Sequence, residues 1–376
     1  MMVSAANLVP AIAFSFSTIA GPATMAAEQP NIIFILVDDM GWSDIGCYGS
    51  EIRTPNIDSL AENGIRFTQF YNTAKCNPTR ASLLTGMYHQ KTDMTGPNVM
   101  KNSATLGEVL RPVGYRTLAS GKHHGTENLH DRGFDHYYGL RDGCSNFWNP
   151  GVQREGEPAP ARKRYRYWCD DETTYHPYTP EDRDFYTTDA FTDRALRWLD
   201  EPDLHEKPFF LYLAYTAPHF PLQAWPADIA KYEGVDDDGY LPIREARYER
   251  MIEMGLIDPQ KNPLPEWDGK DWDAHEDLER RKEGSEIHSI CSTRAHRYSA
   301  MHFIGSPPST ASASGCRLET GFRSINQGWP PASSRYSTLP SSIFAWLMIS
   351  ATACAIGAFS SVPHFRTTSG VAWARQ

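Results

Sequence analysis

Four places in this 376-residue chain put side chains capable of chemistry where a fold could bring them together. The run Asn31-Ile32-Ile33-Phe34-Ile35-Leu36-Val37 stops at Asp38-Asp39, a pair of hard oxygen donors suited to Ca²⁺ or Mg²⁺. The short run Tyr115 to Leu118 leads into Ser120-Gly121-Lys122-His123-His124. There the ammonium can hold an anionic oxygen and an imidazole can move a proton near neutral pH. Pro208 to Tyr215 is a second long apolar run and ends at Ala217-Pro218-His219-Phe220-Pro221. The fourth place is Cys76-Asn77-Pro78-Thr79-Arg80, where Pro78 suits the start of a helix and Arg80 follows Cys76 by about one turn. Backbone N–H groups at such a start favour developing negative charge. Each place also has a plainer reading. An isolated Cys is mostly a small buried hydrophobe, Asp after a strand mostly caps a turn, and His219 between prolines could be a loop histidine.

The elements that must position these groups are legible in outline. Apolar, β-branched-rich runs of this length are strands buried on both faces of a parallel sheet. Thr54 as N-cap, Pro55 in the first turn and Gly64 as the stop define one helix. A second runs from Thr105 to about Arg111 and ends by Gly114, and Phe191, Ala195, Trp198 and Leu199 mark the apolar face of a third. Strands alternating with helices indicate an α/β fold with a mostly parallel sheet, whose ligands sit beyond the carboxyl ends of the strands. That rule predicts that Asp38, Asp39, Lys122, His124 and His219 converge on one crevice. The segment from about Asn146 to Tyr186 reads as an excursion over its mouth. Within it Tyr165 to Tyr178, like Trp225, reads as packing more than substrate contact. Residues 223–282 read as mixed helix and loop.

The string Cys76 to Gly86 (Cys-Asn-Pro-Thr-Arg-Ala-Ser-Leu-Leu-Thr-Gly) resembles the signature of the sulfatases. Pro30-Asn31-Ile32 leading to Asp38-Asp39-Met40-Gly41, Thr54-Pro55-Asn56-Ile57-Asp58, Gly121-Lys122 with His124, and Pro218-His219 agree with it in family order. The resemblance implies an alkaline-phosphatase-like fold and an arylsulfatase-type hydrolase of sulfate esters. It implies that a formylglycine-generating enzyme oxidises Cys76 to formylglycine. One hydroxyl of the hydrated aldehyde then attacks sulfur, and the other expels sulfate. By the same resemblance Asp38, Asp39 and an oxygen of the modified Cys76 ligate Ca²⁺ or Mg²⁺, and Arg80 fixes the formylglycine hydroxyl. Lys122 holds a sulfate oxygen, His124 acts as base and His219 serves the leaving oxygen. A small-molecule or polysaccharide sulfate ester is the expected substrate. The runner-up is a phosphonate or phosphate-ester hydrolase of the same superfamily, and an inactive truncated remnant is the third reading.

Composition agrees with a globular enzyme: hydrophobic residues make up 40% and charged residues 22%, which excludes a disordered chain or a coiled coil. The net charge of −10 argues against nucleic acid as the main partner. Leu8 to Ala20 followed by small residues reads as a signal peptide over residues 1–27, hence export to the periplasm or medium. Seven Cys show no spacing that suggests a disulfide framework or zinc site. The catalytic domain is expected over residues 28–282. Residues 283–376 hold 7 Arg, 3 Glu and 18 Ser but no Lys and no Asp, an anomalous tail that reads as out of frame. The chain contains no Asp-Asn dipeptide and no Lys after Lys282, whereas the family pattern calls for both. The expectation is therefore a sheet lacking its later strands, with an apolar edge exposed, and a weakly active or inactive protein. Ile343 to Phe359 is apolar for about 17 residues, marginal for a membrane span.

Overall fold

The computed structural model describes residues 29–73, 75–92, 99–157, 165–202, 206–235 and 237–267, and the strand backbones of 343–349 and 355–359. The expected signal peptide, residues 268–282 of the mixed helix and loop, and most of the tail lie outside these residues.

Nine strands form one mixed sheet among the described residues: β1 (Asn31–Val37), β2 (Gly64–Arg66), β3 (Arg116–Gly121), β4 (His136–Leu140), β5 (Trp168–Asp170), β6 (Thr173–Tyr175), β7 (Phe209–Ala214), β8 (Ile343–Ile349) and β9 (Ala355–Phe359). Their order is β2-β9-β8-β1-β7-β3-β4-β5-β6, and the five consecutive strands from β8 to β4 run parallel. The helices are α1 (Pro55–Asn63), α2 (Cys76–Thr85), α3 (Leu106–Leu110), α4 (Thr187–Leu199), α5 (Pro226–Ile229) and α6 (Tyr240–Glu253). The mostly parallel α/β architecture is thus as expected, and β1 and β7 occupy its centre.

Both faces of the sheet are covered. Ile33, Ile35, Val37, Leu118, Leu211 and Leu213 form one core with Ile57 and Leu60 of α1 and Phe191, Ala195 and Trp198 of α4. Leu36, Ala119, Tyr137, Phe210 and Tyr212 form the other with Ala81 and Leu84 of α2. Each aliphatic side chain buried there contributes roughly 1.5–3 kcal/mol, so the two-sided burial of β7 makes it the anchor of the sheet.

Local chemistry explains most boundaries. Thr105 caps α3 by accepting from the Glu108 amide at 3.1 Å, while Glu108 accepts from the Thr105 amide at 2.7 Å. Thr54 precedes α1 without capping it; its hydroxyl donates to Asp58 and accepts from the Gly46 amide, tying the helix to the preceding loop. The strand expected over 115–118 continues to Gly121. A Cβ there would lie 1.9 Å from the Ala214 carbonyl oxygen, and φ is +118°. Only glycine lets β3 pass β7 so closely.

Two expectations are corrected. The segment after Asn146 is not all excursion, because β5 pairs antiparallel with β4 and β6 antiparallel with β5, extending the sheet. The apolar edge of β1 is not exposed either: β8 pairs with it along its whole length, Asn31 to Ile343 through Val37 to Ile349. An apolar run in the tail satisfies the backbone groups that an open edge would leave unpaired. The same run forms two strands rather than a span, and among the described residues no helix is long and apolar enough to cross a membrane.

Asp171 closes the outer turn onto β4: its carboxylate faces His136 Nδ1 at 2.9 Å and accepts from the Tyr137 amide. Burial works to raise the Asp171 pKa, but the His136 hydrogen bond and that amide outweigh it and leave it lowered. The same bond, against burial, raises His136. Asp171 therefore stabilises above about pH 4 and loses its contribution as pH falls through its folded value; His136 does so below about pH 6.5 and loses it as pH rises. The stability gap between the wild type and Asp171→Asn, read from urea midpoints, is expected to be widest between those values. A gap unchanged from pH 3 to 9 would refute the pairing.

Candidate active site

Every predicted site residue sits at the carboxyl end of a parallel strand or at the start of α2. Asp38 directly follows β1, its amide donating to Ala217 O at 3.2 Å. Lys122 directly follows β3, and its amide continues the ladder to Ala214 O at 2.7 Å. Tyr215, after β7, donates its amide to Leu36 O at 2.8 Å, and the chain then turns to His219. Cys76 is the first residue of α2 and partly buried, and Gly86 closes that helix at φ +65°.

The centre is an ion triad. Asp38, Arg80 and Lys122 are each fully buried. Asp38 Oδ1 accepts from Arg80 at 3.1 Å, and Oδ2 accepts from Lys122 Nζ. Arg80 also donates to the Lys122 carbonyl at 2.6 Å, to Tyr212 Oη at 3.4 Å and to the Tyr215 carbonyl at 3.5 Å. Burial would raise the Asp38 pKa, but Lys122, Arg80 and His219 bring it down to about 2. The triad therefore carries a net charge of +1 in a site where burial makes charge expensive, and an anion is what offsets it.

The imidazoles divide their roles. Burial, then Lys122 and Arg80, push His124 down to about 3, so it is neutral and able to accept a proton. Its ring lies against Gly143, where a Cβ would come within 2.4 Å, and its Nδ1 has no hydrogen-bond partner. His123 is also buried and lowered to about 3, but it packs edge-on against Tyr137 and is pressed, after burial, by Arg80, Arg141 and Arg132. Only His124 senses the Asp38 carboxylate, which agrees with the family spacing. His219 donates through Nδ1 to Phe220 O at 2.5 Å and turns Nε2 to Asp39 Oδ2 at 3.4 Å. Asp39, half exposed, holds φ +59°.

The described residues do not complete a shell for Ca²⁺ or Mg²⁺. Both Asp38 oxygens are engaged by cations, Asp39 faces His219, and no three His, Cys, Asp or Glu side chains gather as a metal cluster among the described residues. Strand β8 ends opposite Val37, and the sequence after it, Ser350-Ala351-Thr352-Ala353-Cys354, brings neither carboxylate nor carboxamide. The metal centre expected at Asp38, Asp39 and Cys76 is therefore not assembled here.

Sequence reasoning missed the Tyr212 and Tyr215 contacts to Arg80 and the Gly143 wall behind His124. Their positions at the ends of β7 and β4 were the available sign. Ser145 is fully buried with its hydroxyl unpartnered, whereas Asn149 is spent on Val152 O and Glu157.

Cys76 at the start of α2, two buried cations and two lowered imidazoles thus lie at the carboxyl end of one sheet, and the sulfatase family model matches residues 30–254. The chain belongs to the sulfatase family, whose members are sulfuric ester hydrolases. It is 32% identical over 290 residues to an arylsulfatase of Klebsiella aerogenes, covering 70% of this chain and 59% of that one. It is 33% identical over 248 residues to mouse arylsulfatase J, covering 61% and 38%. The chain thus spans about half the length of these relatives. An enzyme solved with its substrate D-glucosamine-2-N,6-O-disulfate superposes with TM-score 0.50 at 19% identity, covering 72% of this chain and 60% of that one. The yidJ protein of Bacteroides fragilis superposes at 0.53 and 14%, covering 90% and 70%. Both likenesses establish the fold alone.

Asp38→Asn would leave Lys122 and Arg80 buried without their counter-charge. The expected cost is about 3–5 kcal/mol of unfolding free energy. A urea midpoint unchanged from the wild type would show that the triad does not hold the strand ends together.

Proposed function

We propose that this chain is built to hydrolyse sulfate esters of the arylsulfatase type at Cys76, after conversion of that residue to formylglycine by a formylglycine-generating enzyme. The observation that carries the reading is the buried Asp38–Arg80–Lys122 triad, one helical turn from Cys76 and net positive. Formylglycine, once hydrated, supplies the nucleophilic hydroxyl and a second hydroxyl for release. The string Cys76 to Arg80 fits it because Cys76 is partly exposed at a helix start, where amide donors favour negative charge.

The residues of the chain divide the remaining work. Lys122 shifts part of its bonding from Asp38 to an ester oxygen, and Arg80 keeps Asp38 in place as it does so. Neutral His124 accepts a proton at its free nitrogen, and the arriving anion raises its affinity for that proton. His219, steered by Asp39, serves the leaving oxygen. No step is assigned to a metal. The substrate is proposed to be a small-molecule or polysaccharide sulfate ester and the setting periplasmic or extracellular.

Losing one preorganised charge-stabilising group costs about 10²–10³ in rate, so turnover is expected to fall at least that far below a full-length arylsulfatase. The test is peptide mass spectrometry for formylglycine at Cys76 after coexpression with the maturation enzyme, alongside hydrolysis of an aryl sulfate and a phosphonate monoester. Slow aryl sulfate turnover that disappears in Cys76→Ala is expected. Phosphonate turnover exceeding sulfate turnover would move the reading to the runner-up hydrolase, and an unmodified Cys76 in an inactive protein would reduce it to a remnant.

A further inference from the structure

We infer that Arg141, Tyr167, His176 and Tyr165 form a subsite on the rim of the crevice for the anionic sugar ring that carries the sulfate ester. The inference deepens the sulfatase reading and rests on it.

The topology places the group beside the site. Strand β4 lies next to β3, and the His123 amide donates to the Leu140 carbonyl at 2.8 Å, so Arg141 emerges alongside His123. The Arg141 charge is one of those that lower the His123 pKa, and Gly143, two residues on, backs the His124 ring. Across the pair, the Arg141 amide donates to Tyr167 O at 3.0 Å. Alternation sets the face: Tyr137 and Cys169 pack in the core beneath α2, and Arg141 and Tyr167 stand on that same side, the side on which α2 begins with Cys76.

The side chains are arranged as a recognition surface more than as packing. The Arg141 guanidinium lies 4.5 Å over the Tyr167 ring, and His176 is stacked on Tyr167 at 3.9 Å and 7°. Tyr165 stands edge-on to His176 at 6.2 Å. Tyr165 is 50% exposed, Tyr167 is 38% exposed and His176 is exposed too. Tyr178, in the same stretch, is the packing residue, stacked on buried Trp168 at 4.8 Å. Three rings and a guanidinium would gain more by burial if packing were their purpose.

Charge chooses the occupant. Arg141 has no ion pair among the described residues; the neighbouring Asp142 accepts from the Tyr167 amide at 2.6 Å and faces Arg166 instead. With its guanidinium carbon over the Tyr167 ring and no carboxylate against it among the described residues, Arg141 has N–H groups available for a second sulfate or a carboxylate. The exposed ring of Tyr165 offers a flat apolar face to the C–H face of a pyranose. A rigid stack loses little freedom on binding, which suits it to recognition.

The probes are a sulfated tetrasaccharide from chondroitin sulfate, its desulfated counterpart and inorganic sulfate, titrated calorimetrically into the full chain and its Arg141→Ala, Tyr165→Ala and Tyr167→Ala variants. The tetrasaccharide is expected to bind, to be displaced by inorganic sulfate, and to lose about fivefold to tenfold in affinity in each variant, with sulfate affinity unchanged. The desulfated sugar is expected to bind more weakly. Three variants are used because Tyr165, the most exposed, can be replaced with least risk to folding. Variants that bind the tetrasaccharide like the wild type, while sulfate still displaces it, would overturn the subsite and leave the sulfatase reading standing. A tetrasaccharide that sulfate does not displace would overturn both, because the sugar would then not be anchored in the crevice.

Discussion

The site depends on one carboxylate shared by two buried cations. Asp38 is the point where β1, α2 and β3 meet, since Arg80 comes from the helix and Lys122 from the neighbouring strand end. Such a cluster costs desolvation, offset in part by the hydrogen bonds its members make: Arg80 reaches two carbonyls and a tyrosine as well as Asp38, while its Nε is buried without a partner. The surplus positive charge is what makes the crevice a place for an anion. Burial, and after it the same Lys122 and Arg80 charges that lower Asp38, keep His124 neutral, so proton acceptance and anion binding share the buried triad.

The scaffold around that triad does little except hold strand ends in line. Gly121 lets β3 approach β7, and the Tyr215 amide locks the end of β7 to β1. Each is a backbone constraint set a residue or a few from a functional side chain, which is how a parallel sheet converts register into site geometry. Among the described residues the tail takes part through the backbone pairing of β8 and β9. Strand β8 closes the edge of β1 but contributes no ligand to the crevice, so edge protection and metal binding are separable demands on that position. An apolar, β-branched run meets the first demand; the second requires named side chains at the strand's end.

Sequence by itself determined the sheet's parallel core, because continuous apolar runs bounded by polar residues have only one economical place to go. It also nominated the candidate site residues, Asp38, Asp39, Cys76, Arg80, Lys122, His124 and His219, through the rule that strand ends gather ligands and through motif order. The outer strands β5 and β6 were too short, at three residues each, to stand out from loop composition. Tertiary structure alone decided what those groups do to one another. That Asp38 is held by Arg80 and Lys122, that His124 and not His123 senses it, and that exposed Tyr167 carries a guanidinium on its face are matters of distance across chain separations of tens of residues. Local sequence fixes a residue's chemistry and its place along a strand. Electrostatic coupling depends on separation in space and on burial, which only the packed sheet supplies.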